Sequence, residues 1–226
     1  MKRLLHRLGC SYHQITGFLF KADRAKQEEF LERYEKQRPQ PHQKTRRYFV
    51  DACHPVWGLE NVYSCWLLKG QRYLLGVGGG RKRLNILGAY CPEDHDYVDY
   101  RQAGGTISAP EVIELLKRLR RKHPDTTQFI LYLDNARYQH ARILYEWIAQ
   151  AQTEGVAFVL AHLPGYSPNL NLIERLWKFL RKHALRQWHN TFEAMQAAVA
   201  RVLDHLADYR DELSTLMTDR FRLVPA

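Results

Sequence analysis

The stretch "LPGYSPNLNLIERLWKFLRKHALR", residues 163–186, falls into two unlike halves. The first is rich in Pro, Gly, Ser and Asn, the residues that favour turns and interrupt regular elements. From about residue 170 apolar side chains return every three or four positions, which predicts a helix running to about 186. Its first turn carries one carboxylate, Glu174, followed by Arg175, Lys178, Arg181 and Lys182. Such an acid can be half of an i,i+4 ion pair with Lys178, worth roughly 0.2–0.5 kcal/mol. Alternatively it binds something that the surrounding cations also hold.

Upstream of this loop, "VAFVLAHL" (156–163) reads as a buried strand and "ARYQHARILYEWIAQAQ" (136–152) as a helix. "TQFILYLD" (127–134) is a second buried strand, ending in Asp134. Before it lies an amphipathic helix at 109–123, with Pro110 at its first turn. "RRYFVDACH" (46–54) is another strand, ending in an acidic position at Asp51. Short strands at 62–70, 72–77 and 83–91 follow at hairpin spacing, and 96–104 reads as an edge strand. Helical patterns at 191–209 and 211–217 close the chain. A meander of antiparallel strands followed by alternating helix and strand predicts an α/β mixed sheet flanked by helices.

Residues 1–45 read differently. A short amphipathic helix ("KRLLHRLG") and a charge-dense helical pattern at 21–37 precede "RPQPHQK", whose prolines end helical structure. The expectation is a helical N-terminal arm (1–45) and a catalytic domain (46–226).

The 226 residues carry 34 Lys and Arg against 24 Asp and Glu, a net charge of +10 that favours a polyanionic partner such as DNA. Cys10, Cys53, Cys65 and Cys91 show no C-x-x-C spacing, and the histidines no H-x-x-x-H spacing, so neither a disulfide frame nor a zinc site is expected. Apolar runs stay well short of the roughly 20 residues of a membrane span. No long apolar segment follows the basic N-terminus, so no secretory signal is expected and the expected location is the cytoplasm.

Asp51 and Asp134 end two strands, and ligands in open α/β sheets bind beyond strand carboxyl ends. If those strands are neighbours, the two carboxylates stand about 5 Å apart. That suits a pair of divalent cations about 3.5–4 Å apart, with Glu174 as a third ligand. Hard oxygen ligands favour Mg²⁺ or Mn²⁺. Turn-capping roles for the two aspartates stay open on these grounds, as does the ion pair for Glu174.

"LYLDNARYQHA" followed by "LPGYSPNLNLIERLWKFLRK" resembles the second and third acidic motifs of insertion-sequence transposases of the mariner superfamily. Upstream, "YFVDACHPVWG" is similar to their first aspartate strand and "GGGRKRLNILGAY" to the hairpin after it. The resemblance runs from about residue 48 to 182, and the long third motif is its most specific part. It implies an RNase H-like fold with a DDE triad of Asp51, Asp134 and Glu174. It further implies two Mg²⁺ ions, with Mn²⁺ able to substitute, DNA cleavage at transposon ends and strand transfer into target DNA by a homodimer assembled on DNA. Arg81, Lys82 and Arg83 of the glycine-rich hairpin, with Arg175, Lys178, Arg181 and Lys182, are the candidate DNA contacts. An inactive DNA-binding remnant of a transposon, or an RNase H-like nuclease without transposition activity, are the alternatives.

Three departures from the family pattern stand out. Asp134 and Glu174 are separated by 39 residues, more than is usual, with the excess expected in "WIAQAQTEGVAF". The histidine expected after D-N-A falls one position late, at His140. "MKRLLHRLGCSYHQITGFLF" resembles only the tail of the family's helix-turn-helix region, as in the downstream frame of a split element or a truncated copy. A separate helix-turn-helix protein would then supply end recognition. The acids of "PEDHDYVD" (92–99) are weaker metal candidates, and the stripe Ile143, Leu144, Trp147 and Ile148 is expected in the core; Trp177 and Phe179 are expected to pack the Glu174 helix onto the sheet, with one of them facing DNA as the alternative.

Overall fold

A computed structural model describes residues 2–9, 21–40, 42–58, 68–72 and 82–224. Its centre is a five-stranded sheet in the order β3-β2-β1-β4-β5. Strand β1 (Thr45–Cys53) pairs antiparallel with β2 (Leu84–Tyr90), which pairs antiparallel with β3 (Tyr97–Ala103). On its other side β1 runs parallel to β4 (Gln128–Leu133), and β4 parallel to β5 (Ala157–His162). The expected mixed sheet is therefore present, with its meander made of β1, β2 and the strand expected at the edge. Of the strands expected at 62–70 and 72–77, residues 62–67 and 73–77 lie outside the described residues. Residues 68–70, expected as the end of a strand, instead form a turn closed by the Gln71 amide on the Leu68 carbonyl at 3.0 Å.

Alternation along β1 divides the core into two layers. Tyr48 and Val50 face α3 (Ala109–Lys122) and α4 (Arg142–Thr153), where Leu115, Leu116, Leu119, Leu144, Phe129 and Phe158 pack. Phe49 faces the other layer, built from α2 (Arg24–Lys36), α5 (Ile173–Leu180) and α6 (Phe192–Leu203). Helix α3 starts as read: Ser108 precedes it, its amide donating to Glu111 Oε2 at 2.8 Å. The helix expected over 136–152 is split into a 3₁₀ turn (Arg137–His140) and α4, because Ala141 between them is extended. In the apolar stripe of α4, Leu144 is buried and Trp147 packs on Phe158, whereas Ile143 points outward. The helix expected over 170–186 comprises a 3₁₀ turn (Pro168–Leu170), α5 and a wide π turn (Arg181–Leu185). The chain closes with α7 (Arg210–Leu216).

The largest difference from the sequence reading is α2, which is built into the domain. Asp23 caps it, accepting from the Lys26 amide at 3.2 Å, and Gln27, Phe30 and Tyr34 form its buried stripe. Phe30 and Tyr34 pack on Tyr132 of β4, with ring centroids 5.6 and 5.2 Å away. Arg47 of β1, itself only 1% exposed, lies 4.1 Å over the Tyr34 ring, donates to the Tyr34 carbonyl at 2.6 Å and pairs with Glu93. A buried guanidinium holds only where its charge and donors are matched. The expected arm thus contributes a core helix, while α1 (Lys2–Arg7) keeps Leu4, Leu5 and Leu8 exposed.

Candidate active site

Parallel pairing of β1 with β4 matches Val50 to Leu133, and one step further that register brings Asp51 level with Asp134. Both follow residues of the α5-side layer at a spacing of two (Phe49 and Tyr132), so both lie toward α5. Glu174 stands in the first turn of α5, where its amide bonds the Asn171 carbonyl at 3.1 Å. Ile173, Leu176, Trp177 and Leu180 bury the apolar face of α5 against the sheet. Asp51, two residues before the end of β1, and Asp134, one residue past β4, therefore lie on the sheet face that α5 covers with the turn carrying Glu174.

Their charges act on one another. Burial pushes the pKa of Asp51 up to about 7; the charge of Glu174 adds to this and that of Asp134 adds further, while the Ala52 amide and the Trp177 indole oppose it. Burial also raises the pKa of Glu174, opposed by Lys178 and Arg181 and reinforced by Asp134. No ion pair joins Glu174 to Lys178 among the described residues, so the acid is left without a direct counter-ion. Among those residues no three His, Cys, Asp or Glu side chains close on one point. The carboxylates share an electrostatic field without forming a ready-made cage.

Two polar side chains hold the aspartates. Trp177 Nε1 donates to Asp51 Oδ2 at 3.1 Å, and Gln139 Nε2 to Asp134 Oδ1 at 2.5 Å. His140 bonds Asn135 Oδ1 at 2.8 Å and stacks on His162, 4.9 Å away. Neither Trp177 nor Gln139 is singled out as a polar partner by the sequence pattern. Loop 163–172, which leads into α5, is tied to α2 through Gln27, whose Nε2 donates to Ser167 Oγ at 2.8 Å.

The helix's cations divide by face. Lys178 and Arg181 follow Glu174 at i+4 and i+7, on the same side, and both are exposed. Arg175 is turned away: its guanidinium donates to the carbonyls of Leu216 (3.2 Å), Thr218 (2.6 Å) and Arg220 (2.8 Å), which removes it from the candidate DNA contacts. Lys182 pairs with Glu212 at 2.7 Å. Arg81 lies outside the described residues. Lys82 is exposed, 3.7 Å from Glu193, and Arg83 donates to the Gly105 carbonyl at 2.6 Å. The acids of 92–99 are occupied elsewhere. Asp94 pairs with Arg46, Asp96 with Lys122 and His123, and Asp99 with Arg101. Cys53 and Cys91 are free thiols. Trp177 and Phe179 are both buried against the sheet and its neighbouring helices, so neither faces outward toward DNA. No helix among the described residues is long and apolar enough to cross a membrane.

Comparison with known proteins follows the same geometry. Among curated protein sequences, none matches this chain significantly. The fold is similar to that of a Mos1 transposase paired-end complex with the left transposon end, at 15% identity and TM-score 0.60, covering 98% of this chain and 70% of that one. A Mos1 mariner paired-end complex with Mn gives 16% and 0.58, covering 98% and 71%. The catalytic domain of Mos1 mariner transposase gives 16% and 0.53, covering 92% and 87%, and shares the RNase H-like mixed sheet flanked by helices. The DDE superfamily endonuclease family matches residues 46–196, two-thirds of the sequence. The chain belongs to that family of DDE endonucleases.

Proposed function

We propose that this chain is the catalytic part of a DDE transposase, which hydrolyses DNA at the ends of a mobile element and joins the freed 3′ ends to target DNA. The observation that carries the reading is that Asp51, Asp134 and Glu174 come from three separate elements and act on one another: burial, then the charges of Glu174 and Asp134, push the pKa of Asp51 up to about 7. Burying mutually repelling carboxylates costs stability unless a cation is bound between them. An all-oxygen donor set of this kind fits Mg²⁺ or Mn²⁺, and Mn is present in one of the similar Mos1 complexes. Asp51, Asp134 and Glu174 would hold the ions. Two bound ions would supply Lewis acidity to the attacking and leaving oxygens of an in-line displacement.

The chain's own side chains do the positioning. Lys178 and Arg181, on the same side of α5 as Glu174, hold phosphates on either side of the scissile one, with Lys82 extending the basic surface. In the first step a water oxygen attacks phosphorus and the P–O3′ bond breaks, leaving a 3′-hydroxyl. In the second that hydroxyl attacks a target phosphate and displaces another 3′-oxygen. The catalytic domain of this proposal spans 46–226, and α2 (Arg24–Lys36), which precedes it in sequence, packs into the same core. A homodimer on DNA, a separate end-recognising helix-turn-helix protein and action on the nucleoid in the bacterial cytoplasm belong to the same reading.

The test is oligonucleotide cleavage with Mg²⁺ or Mn²⁺, comparing the unchanged chain with Glu174→Gln. The expected result is that the variant retains DNA binding and does not cut. Equal cutting by both would reduce Glu174 to a helix-surface acid and overturn the triad. Cleavage without joining of a 3′ end to target DNA would point to a nuclease instead.

A further inference from the structure

We propose that Trp177 is the positioning residue that fixes the Asp51 carboxylate for cation binding, and that Gly88 exists to admit its indole. The inference rests on Asp51 being a cation ligand, as proposed above.

Asp51 on β1 and Gly88 on β2 are cross-strand partners. On this row the indole crosses the sheet at a height no side chain at 88 would permit. A Cβ added at Gly88 would lie 2.7 Å from Trp177 Cη2, and 3.0 Å from both Cε2 and the hydroxyl of Tyr97. Trp177 is 4% exposed and its ring meets that of Tyr97 edge-on, at 6.4 Å and 84°, so the indole has little room to retreat. The outcome of this packing is the 3.1 Å bond from Nε1 to Asp51 Oδ2.

The identity of the donor matters. An indole N–H is neutral and donates only, so it orients a carboxylate without neutralising it and does not reverse with protonation. A Lys or Arg in that place would also orient Asp51, but as a counter-ion competing with a divalent cation. Trp177 therefore fixes one oxygen and leaves the charge of Asp51 intact. Helix α5 contributes twice under this reading: through Glu174 itself and, three residues on, through the donor that sets Asp51.

The experiment compares the unchanged chain, Trp177→Phe, Gly88→Ala and Asp51→Asn. Free Mn²⁺ is followed by electron paramagnetic resonance during titration, and DNA cleavage is measured against Mn²⁺ concentration. Trp177→Phe keeps a packed ring and loses the donor; the expected effect is Mn²⁺ binding weakened about tenfold or more, in line with residues that orient a metal ligand. Cleavage should recover at high Mn²⁺, so that half-saturation moves more than the maximal rate. Gly88→Ala alters no polar group and is expected to give the same shift; if it does not fold, Trp177→Phe decides alone. Unchanged Mn²⁺ affinity in Trp177→Phe, with affinity lost in Asp51→Asn, would overturn the positioning role while leaving Asp51 as a ligand. Unchanged affinity in Asp51→Asn would overturn the carboxylate reading itself, and the proposal with it.

Discussion

Replacing Asp51 with asparagine should stabilise the metal-free protein above neutral pH while abolishing cleavage. The carboxyl has an ordinary value of 3.8 and is pushed to about 7 in the fold, first by burial and then by Glu174. A folded-state pKa above the unfolded value means that the native state keeps its proton longer. Stability therefore falls as pH rises through the window from about 4 to about 7, and the penalty is fully present above it. At about 1.4 kcal/mol for each tenfold change in the protonation equilibrium, the upper limit is about 4 kcal/mol. Solvent access at the open end of the strands and relaxation of Glu174 reduce this to about 1–3 kcal/mol. The carboxamide of Asp51→Asn still offers an oxygen to Trp177, so the bond itself need not be lost. The assay is urea or thermal unfolding in chelator from pH 4 to pH 8. The variant should match the unchanged chain near pH 4 and exceed it by several degrees at pH 8, at about 2–4 °C for each kcal/mol. Added Mn²⁺ should stabilise the unchanged chain more than the variant, because only the former keeps all three proposed carboxylate ligands. A variant less stable by the same amount at every pH would refute the reasoning, since Asp51 would then act as a hydrogen-bond acceptor and not as an electrostatically strained acid.

Further outcomes follow from the two faces of α5 and from α2. Lys178→Ala and Arg181→Ala should each weaken DNA binding with little dependence on sequence, and each should reduce the salt slope by about 1, measured by fluorescence anisotropy at several salt concentrations. Arg175→Ala should leave that slope unchanged and instead lower the melting temperature, because it frees the carbonyls of Leu216, Thr218 and Arg220. Gln27→Ala, which removes the donor to Ser167 Oγ and the acceptor of the Val224 amide, should cost about 1–3 kcal/mol. Hydrogen exchange should locate that loss in residues 163–172 and spare α3.

The contrast between what was and was not readable lies in the range of the interactions involved. Aspartates that end apolar runs are a local signal: one run stops at Asp51 and another at Asp134, and adjacency of β1 and β4 then sets them level, although β1 itself continues to Cys53. Glu174 was marked by a loop-to-helix change and by its basic surroundings. The cations beside it were not separable by composition. Arg175 and Lys182 stand seven residues apart on a face that meets the C-terminal segment, whereas Lys178 and Arg181 stay on the side of Glu174; only a fixed helix phase distinguishes them. Helix α2 reads as part of an arm because its buried stripe is narrow. Gln27, Phe30 and Tyr34 are its only buried residues, and one of them is polar. The spacing of Phe30 and Tyr34, at i and i+4, was the available signal, masked by the charged residues that make up most of the same helix. The hydrogen bond from Trp177 to Asp51 has no signature local to either residue. It joins residues 126 apart and requires that a third, Gly88, carry no side chain. A glycine inside a strand ordinarily weakens it, and its presence signals close approach by another group. In "LNILGAY" that signal was in the sequence, but its partner was not. Only the sheet order, by putting β2 between β1 and β3, shows that the group approaching Gly88 is the indole that bonds to Asp51.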